Sequence, residues 1–343
     1  MIKDFIKEAF ILKSKGYYKH AIEAFYKALE LDNTSTELLL EIADIYNLMG
    51  EEERALNYIE LILDKNPTHI GAMTLLKNIF IAKSAWNKAE LAAKNIYSIS
   101  NNPDDLASIL FLLNKQKLFQ EVCKYKIDYK TPDILYEIAY AKMFDNPKEA
   151  QNLINQALEI EPNNFKLLLL KGKILFKSNK QDECSALLAE MPFDNSNPDF
   201  LNFAGLVKQH QKDFKSAINY FKTAVSLAPN SAEFYYNCGS TYFKMDEISL
   251  AKKYYNLAIS LDNENPNYHL ALANLYYSQK QYKRALEELK IDLFEAKILK
   301  AVILYDTGFL AIAKKEFATL ANIDANNDII KLYQSKIDTE LSI

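Results

Sequence analysis

A small residue recurs along the chain at a nearly constant spacing of about 34 residues. Ala217, Ala251 and Ala285 are evenly spaced, and the series continues in both directions. Its positions are Ala21, Ala55, Ala89, Cys123, Ala150, Cys184, Ala217, Ala251, Ala285 and Ala313. A fixed period of this length is typical of stacked copies of one supersecondary unit, whose neighbours bury a continuous core together. The chain is therefore expected to fold as a row of similar repeats, not as separate globular domains.

Residues 198–265 contain the clearest pair of repeats. Gly205 and Gly239 take the same place in a first helix, and Phe221 and Tyr255 take the same place in a second helix. The members of each pair are separated by the same interval as Ala217 and Ala251. This period and these residue types resemble the tetratricopeptide repeat (TPR), a helix–turn–helix unit. The resemblance covers essentially the whole chain and implies an all-α fold: a right-handed α-solenoid, or superhelix, of about ten TPR-like helical hairpins plus a C-terminal capping helix.

The repeats are expected to start near residues 2, 36, 70, 104, 131, 165, 198, 232, 266 and 294, as a single continuous solenoid over residues 1–327. Residues 328–343 are expected to form the capping helix, because polar residues replace the apolar or small residues of a further repeat. Two steps of the series are shorter than the others, from Cys123 to Ala150 and from Ala285 to Ala313, which predicts truncated second helices there. A duplicated five-repeat block explains both steps, and two independent deletions are the alternative.

The composition argues against several classes of function. The net charge is −4 and the pI is about 5.8, so no overall basic field exists to attract nucleic acid. Lys3, Asp4, Lys7 and Glu8 interrupt any apolar core of a signal peptide, and no apolar run is long enough to cross a bilayer. We therefore expect no membrane insertion and a cytoplasmic location. The abundance of Lys, Asn, Ile and Tyr is typical of an AT-rich genome, which we interpret as bacterial.

No motif for catalysis or for cofactor binding stands out in the sequence. The chain has only seven glycines, and it contains neither a phosphate-binding glycine-rich loop nor a nucleophile elbow. Its four histidines fall in different repeats, and its three cysteines show no metal-ligand spacing. The cysteines are interpreted as small packing residues. We therefore expect no enzyme activity, no cofactor and no metal.

The first helix of each repeat carries the candidate binding residues. In tetratricopeptide proteins this helix lines a concave groove that takes an extended peptide or a partner helix, and the resemblance implies the same here. The residues expected on this peptide-binding groove are Lys173, Phe176, Lys177, Asn202, Tyr236, Asn237, Phe243, Asn274, Tyr277 and Tyr305. Aromatic rings in one slot of the repeat would form a series, the amides beside them would bond a bound main chain, and the lysines would lie at one end. The expected partner is a protein or peptide, mildly acidic, with apolar anchors.

Other interpretations stay open. The same aromatics could fill a tightly wound interior, and the earlier repeats offer an acidic stretch at Glu37, Glu41 and Asp44 instead. The favoured function is a non-catalytic protein–protein interaction scaffold or adaptor. The first alternative is a structural protein that forms homo-oligomers through its apolar N-terminal helix, which contains Phe5 and Phe10. An RNA-binding helical repeat is a distant third, because the basic residues of the inner face are too few.

Overall fold

A computed structural model of the chain describes residues 1–125 and 128–341. Within these ranges all regular secondary structure is α-helical, in 21 helices. The chain divides into two compact units, Met1–Asn179 and Lys180–Ile343. They are called the N-terminal unit and the C-terminal unit below.

In the N-terminal unit each helix packs against the next helix along the chain. Its helices are α1 (Ile2–Ser14), α2 (Tyr18–Leu31), α3 (Thr36–Leu48), α4 (Glu52–Lys65), α5 (Ile70–Ala82), α6 (Trp86–Ser100), α7 (Pro103–Lys115), α8 (Phe119–Lys124), α9 (Pro132–Lys142), α10 (Pro147–Ile160) and α11 (Phe165–Lys177). Odd-numbered helices are the first helices of hairpins and even-numbered ones the second. The first helices also contact one another, as α7 contacts α9 and α9 contacts α11.

In the C-terminal unit most helices likewise pack against the next helix along the chain. Its helices are α12 (Gln181–Glu190), α13 (Pro198–His210), α14 (Phe214–Leu227), α15 (Ala232–Lys244), α16 (Ile248–Leu261), α17 (Pro266–Ser278), α18 (Tyr282–Glu288), α19 (Phe294–Asp306), α20 (Leu310–Ala321) and α21 (Asp328–Leu341). The first helices α13, α15, α17 and α19 contact each other in series, and α21 packs on both α19 and α20.

The prediction of an all-α array of helical hairpins with a terminal helix is confirmed. That the repeats form one continuous solenoid over residues 1–327 remains a prediction. The last two residues of the expected capping helix, 342 and 343, lie outside the described residues. The truncated second helices are confirmed, because α8 has 6 residues and α18 has 7, whereas α14 and α16 have 14 each.

Local sequence signals set the helix boundaries. Proline is the first residue of α7, α9, α10, α13 and α17, where its missing N–H removes no intrahelical hydrogen bond. Asn197 caps α13 by accepting a hydrogen bond from the main-chain N–H of Phe200 at 3.1 Å. Gly16 and Gly50 occupy turns between paired helices with φ values of +79° and +76°, which glycine adopts at little cost.

The residues of the small-residue series lie in the core. All of its alanines and Cys184 are fully buried, and Cys123 is half-buried. Glycine takes a similar place in first helices, and a Cβ on Gly239 would lie 2.7 Å from Cδ1 of Tyr255. At Gly239 the packing of α15 against α16 thus leaves no room for a side chain.

Candidate protein-binding surface

Buried amides connect the first helices α13 and α15 of the C-terminal unit. Asn202 is 1% exposed, and its Nδ2 donates to Oε1 of Glu233 at 2.9 Å. Its Oδ1 accepts from Nδ2 of Asn237, which is also buried, at 2.8 Å. Buried polar groups are costly unless they are paired. Both amides are therefore engaged within the protein, where they fix the register of α13 against α15.

A second set of polar contacts joins the same two helices. Nε2 of Gln209 donates to Oγ1 of Thr241 at 2.7 Å, and this hydroxyl donates to the main-chain carbonyl of Asn237 at 2.7 Å. Nζ of Lys244 donates to Oε1 of Gln209 at 2.8 Å. Burial lowers the pKa of Lys244 below its ordinary value. The network thus holds one ammonium group on the first-helix face.

Three of the predicted aromatics form a series along first helices. Phe243 and Tyr277 are half-buried against one core cluster, and Tyr277 and Tyr305 against the next. The hydroxyl of Tyr277 donates to Oδ2 of Asp306 at 2.7 Å, and that of Tyr305 donates to Glu340 on α21. Burial and the bond to Asp306 raise the pKa of Tyr277. Tyr277 and Tyr305 are therefore anchored through their hydroxyl groups, and all three side chains are partly exposed.

The other two predicted residues of this unit differ from each other in exposure. Tyr236 is packed between rings, with its centroid 5.1 Å from that of Tyr268 and 5.9 Å from that of Tyr255. Burial raises the pKa of Tyr236. Asn274 is exposed, and its Nδ2 donates to the carbonyl of Leu270 at 3.0 Å. Tyr236 is thus mainly a core residue, whereas Asn274 is accessible to a partner.

The three remaining predicted residues lie in the N-terminal unit, on α11. Lys173 and Phe176 are half-buried there. Lys177 is exposed, and its Nζ lies 4.2 Å from the ring centroid of Phe144, a cation–π distance. Partial desolvation of this ammonium, next to the ring, lowers the pKa of Lys177. The predicted groove residues are therefore shared between the two units, three in one and seven in the other.

The acidic stretch of the early repeats is partly neutralised. Nζ of Lys13 on α1 lies 2.5 Å from Oε2 of Glu41 and 2.7 Å from Oδ2 of Asp44, both on α3. All three side chains are at most half-exposed. This stretch therefore contains ion pairs between neighbouring first helices rather than a uniformly acidic face.

A pocket of about 160 Å³ in the N-terminal unit was not anticipated from the sequence. It is lined by residues of α7, α9 and α11: Phe111, Asn114, Lys115, Tyr136, Glu137, Tyr140 and Lys166. A sequence signal for it exists, because Asn114 follows Tyr46 and Phe80 at the period of the repeat. A polar amide thus stands where two other repeats have an aromatic ring in the core.

Neither a metal cluster nor a membrane span is found in the described ranges. Among residues 1–125 and 128–341, no group of three or more His, Cys, Asp and Glu side chains is placed to hold a metal ion. Each helix in the same ranges is too short or too polar to traverse a bilayer.

Family models match four stretches of the chain. A model described as "TPR repeat" matches residues 205–246. Two models described as "Tetratricopeptide repeat" match residues 144–206, and residues 6–35 and 232–265, respectively. The matched stretches include helices from both units.

Two curated relatives are similar over most of the chain. The DnaJ homolog subfamily C member 7 homolog of Dictyostelium discoideum is 26% identical over 225 residues, covering 64% of this chain and 39% of that protein. The BBSome complex member BBS4 of Bos taurus is 21% identical over 356 residues, covering 93% of this chain and 63% of that protein. The chain therefore spans less than two thirds of the length of either relative.

A solved structure with the same arrangement of helices is that of the APC/C hetero-tetramer Cut9-Hcn1. The TM-score is 0.63 at 11% sequence identity, and the match covers 97% of this chain and 75% of that chain. A similarity at this level of identity shows a shared fold.

Proposed function

Because the chain is a tetratricopeptide-repeat protein, we propose that it is a non-catalytic adaptor that binds an extended peptide or a partner helix on its first helices. Proteins of this family are in general scaffolds for protein–protein interaction. The bovine relative is by name a member of a complex, and the similar solved structure is a hetero-tetramer. The proposed surface lies in the C-terminal unit and comprises Asn202, Tyr236, Asn237, Phe243, Asn274, Tyr277 and Tyr305.

The observation that carries this proposal is the series Phe243, Tyr277 and Tyr305. Each ring is half-buried, and two of them are anchored through their hydroxyl groups. Rigid aromatic side chains supply contact area at a low cost in conformational entropy, which is why they dominate the centres of protein interfaces. The series therefore offers preorganised apolar contacts to a ligand that lies across successive first helices.

The polar residues of the surface take different parts. Asn202, Asn237 and Tyr236 support the surface from below, because their side chains are engaged within the protein. Asn274 is accessible for a hydrogen bond to a partner main chain. Lys244 supplies a positive charge that suits a mildly acidic partner. On α11 of the N-terminal unit, Lys173, Phe176 and Lys177 are proposed separately as contacts for the same class of ligand.

Affinity capture from a native lysate tests the proposal with the variant Phe243→Ala/Tyr277→Ala. A protein recovered by the wild type should be lost by this variant, since both substitutions remove ring surface from the same side of the unit. A matched control, Tyr220→Ala/Phe309→Ala, removes one tyrosine and one phenylalanine outside the first helices, because Tyr220 lies on α14 and Phe309 precedes α20. All three proteins should give the same helical circular-dichroism signal. Equal recovery by the two variants would rule out the aromatic series as the binding surface.

A second candidate function is self-assembly through α1. Phe10 and Ile11 on this helix are each 45% exposed, which is unusual for neighbouring large apolar residues. Light scattering should then show a mass that rises with concentration and that Phe10→Asp/Ile11→Asp returns to the monomer value. Leu91→Asp, at a residue that is 63% exposed on α6, is the control. A constant monomer mass for the wild type would contradict self-assembly.

A further inference from the structure

The floor of the pocket in the N-terminal unit is formed by one amide and one carboxylate. Nδ2 of Asn114 donates both to the main-chain carbonyl of Glu137 and to its Oε2, each at 2.8 Å. These two bonds fix which way the amide points. Oδ1 of Asn114 is then a buried acceptor with no hydrogen-bond partner among the described residues. Asn114 itself is 7% exposed, so water compensates poorly for the missing bond.

The other carboxylate oxygen, Oε1 of Glu137, also has unused hydrogen-bonding capacity. Glu137 is 5% exposed, and the charged group nearest to its Oε1 is the ammonium of Lys166 at 3.8 Å. That separation is too long for a hydrogen bond. The pocket therefore offers Oε1 of Glu137 to a ligand, whereas Oδ1 of Asn114 is an unpaired acceptor with almost no accessible surface.

The walls of the pocket hold three aromatic rings and two lysines, Lys115 and Lys166. The rings of Phe111, Tyr136 and Tyr140 line it, and ring faces attract cations. The protein's own Lys166 shows this preference, because its Nζ lies 4.0 Å from the ring centroid of Tyr136 and 3.6 Å from Oδ1 of Asp133. Lys166 is half-exposed on a long flexible stem, so this ion pair is easily exchanged for another.

We propose that this pocket binds a lysine or arginine side chain presented by a partner polypeptide. The cationic head donates a hydrogen bond to Oε1 of Glu137, its aliphatic stem lies between the rings, and Lys166 moves to solvent. A carboxylate ligand fits less well, because it would face the acceptor oxygen and the negative charge of Glu137. Lys115 and Lys166 would be its only cationic partners among the pocket residues. The inference rests on the proposed function only in taking a polypeptide as the ligand. The pocket lies in the N-terminal unit, whereas the proposed aromatic surface lies in the C-terminal unit.

Capped pentapeptides of the form Gly-Gly-X-Gly-Gly test the proposal, with Lys, Arg, norleucine or Glu as X. Calorimetric titration of the full chain should detect the Lys and Arg peptides and should not detect the norleucine and Glu peptides. Glu137→Gln should lower the affinity for the Lys or Arg peptide by about tenfold or more, because the charge-assisted hydrogen bond is lost while the shape of the side chain is kept. Glu121→Gln, at an exposed carboxylate of α8 outside the pocket, should leave the affinity unchanged.

A gain of affinity separates the proposal from simple damage to the fold. Lys166→Met removes the ammonium that competes with the ligand. The affinity for the Lys peptide should therefore rise about threefold, which is the scale of a half-exposed ion pair. Phe243→Ala/Tyr277→Ala should leave binding of the pentapeptides intact, so that failure at one site is distinguished from failure at the other. Absence of binding by both cationic peptides, preference for the Glu peptide, or equal binding of the norleucine peptide would overturn the proposal. Binding of n-butylamine as tight as that of the Lys peptide would overturn the polypeptide part, because it would identify a free amine as the ligand.

Discussion

The ring of Phe221 lies against the backbone of Gly205, so that a Cβ on Gly205 would stand 2.6 Å from Cε1 of the ring. Phe221 is fully buried. This contact joins α13 to α14 and is built from two residues that recur in the next repeat as Gly239 and Tyr255.

Gly205→Ala should therefore lower the free energy of unfolding by about 1–3 kcal/mol through overpacking. Urea unfolding followed by circular dichroism measures the change. Gly71→Ala is the matched control: the nearest atom to its new Cβ would be Cδ2 of Leu40 at 2.8 Å, the end of a flexible and partly exposed side chain. Because alanine is also the better helix former, this control should be neutral or stabilising. Similar losses at both glycines would contradict the close-contact explanation.

Asn202 and Asn274 should respond differently to the same substitution, although the sequence predicts both for the groove. Asn202→Ala leaves Nδ2 of Asn237 buried without its acceptor, at a cost of about 1–3 kcal/mol in unfolding free energy. Asn274→Ala removes an exposed side chain and should change the unfolding free energy by less than about 0.5 kcal/mol. Equal effects of the two variants in urea unfolding would show that the buried amide pair does not stabilise the α13–α15 contact.

Stability should depend on pH through Glu137. Burial raises the pKa of this carboxyl above its ordinary value, while the hydrogen bond from Asn114 and the charge of Lys166 lower it in part. Lys166 on α11, Lys115 on α7 and Asp133 on α9 are the other charged groups around it. The folded chain binds the carboxyl proton of Glu137 more tightly than the unfolded chain does. The stabilising contribution of this proton is therefore complete below pH 4.5, the ordinary pKa, and is lost as the pH rises through the raised pKa of the folded chain.

The variant Glu137→Gln should remove this dependence. Its unfolding free energy should increase relative to that of the wild type as the pH rises above 4.5, and the difference should then level off. Urea titrations at a series of pH values measure this difference. A difference that stays constant over the whole range would show that Glu137 titrates alike in the folded and unfolded chain.

The three thiols should differ in reactivity. Burial raises the pKa of Cys184 to about 11 and that of Cys238 to about 12, and both side chains are fully buried. Cys123 is half-buried. Since the thiolate is the reactive form, iodoacetamide should alkylate Cys123 first in the native protein and the other two only after unfolding. Peptide mapping by mass spectrometry follows each site. Rapid native labelling of Cys238 would contradict its place in the core.

The helical framework was predictable because it depends on residues that act within one hairpin. Ala217 and Gly50 mark a close helix contact and a left-handed turn, and each does so through its own size or backbone freedom. The shortened helices α8 and α18 could be predicted from the period for the same reason. None of these features requires knowledge of what a side chain meets in another repeat.

The candidate site was less predictable, because the roles of its polar residues are decided by partners in neighbouring repeats. Asn202 and Asn237 look alike in sequence to the accessible Asn274, yet they bond each other across α13 and α15. Glu41 is paired with Lys13 on another first helix. Helical periodicity places these residues on a face, but it does not show whether their hydrogen bonds are already satisfied.

The hydrogen bonds between neighbouring first helices have a consequence for the order of the hairpins. Asn202 bonds Glu233 and Asn237, 31 and 35 residues away, and Asn114 bonds Glu137, 23 residues away. Each of these junctions matches a particular donor with a particular acceptor. Hairpins that share one backbone plan are therefore not interchangeable at these junctions: deleting the hairpin of α15 and α16 would set Asn202 against α17, where Ala271 takes the place of Asn237. The linear order of the repeats is encoded in side-chain chemistry, independently of the peptide bonds that connect them.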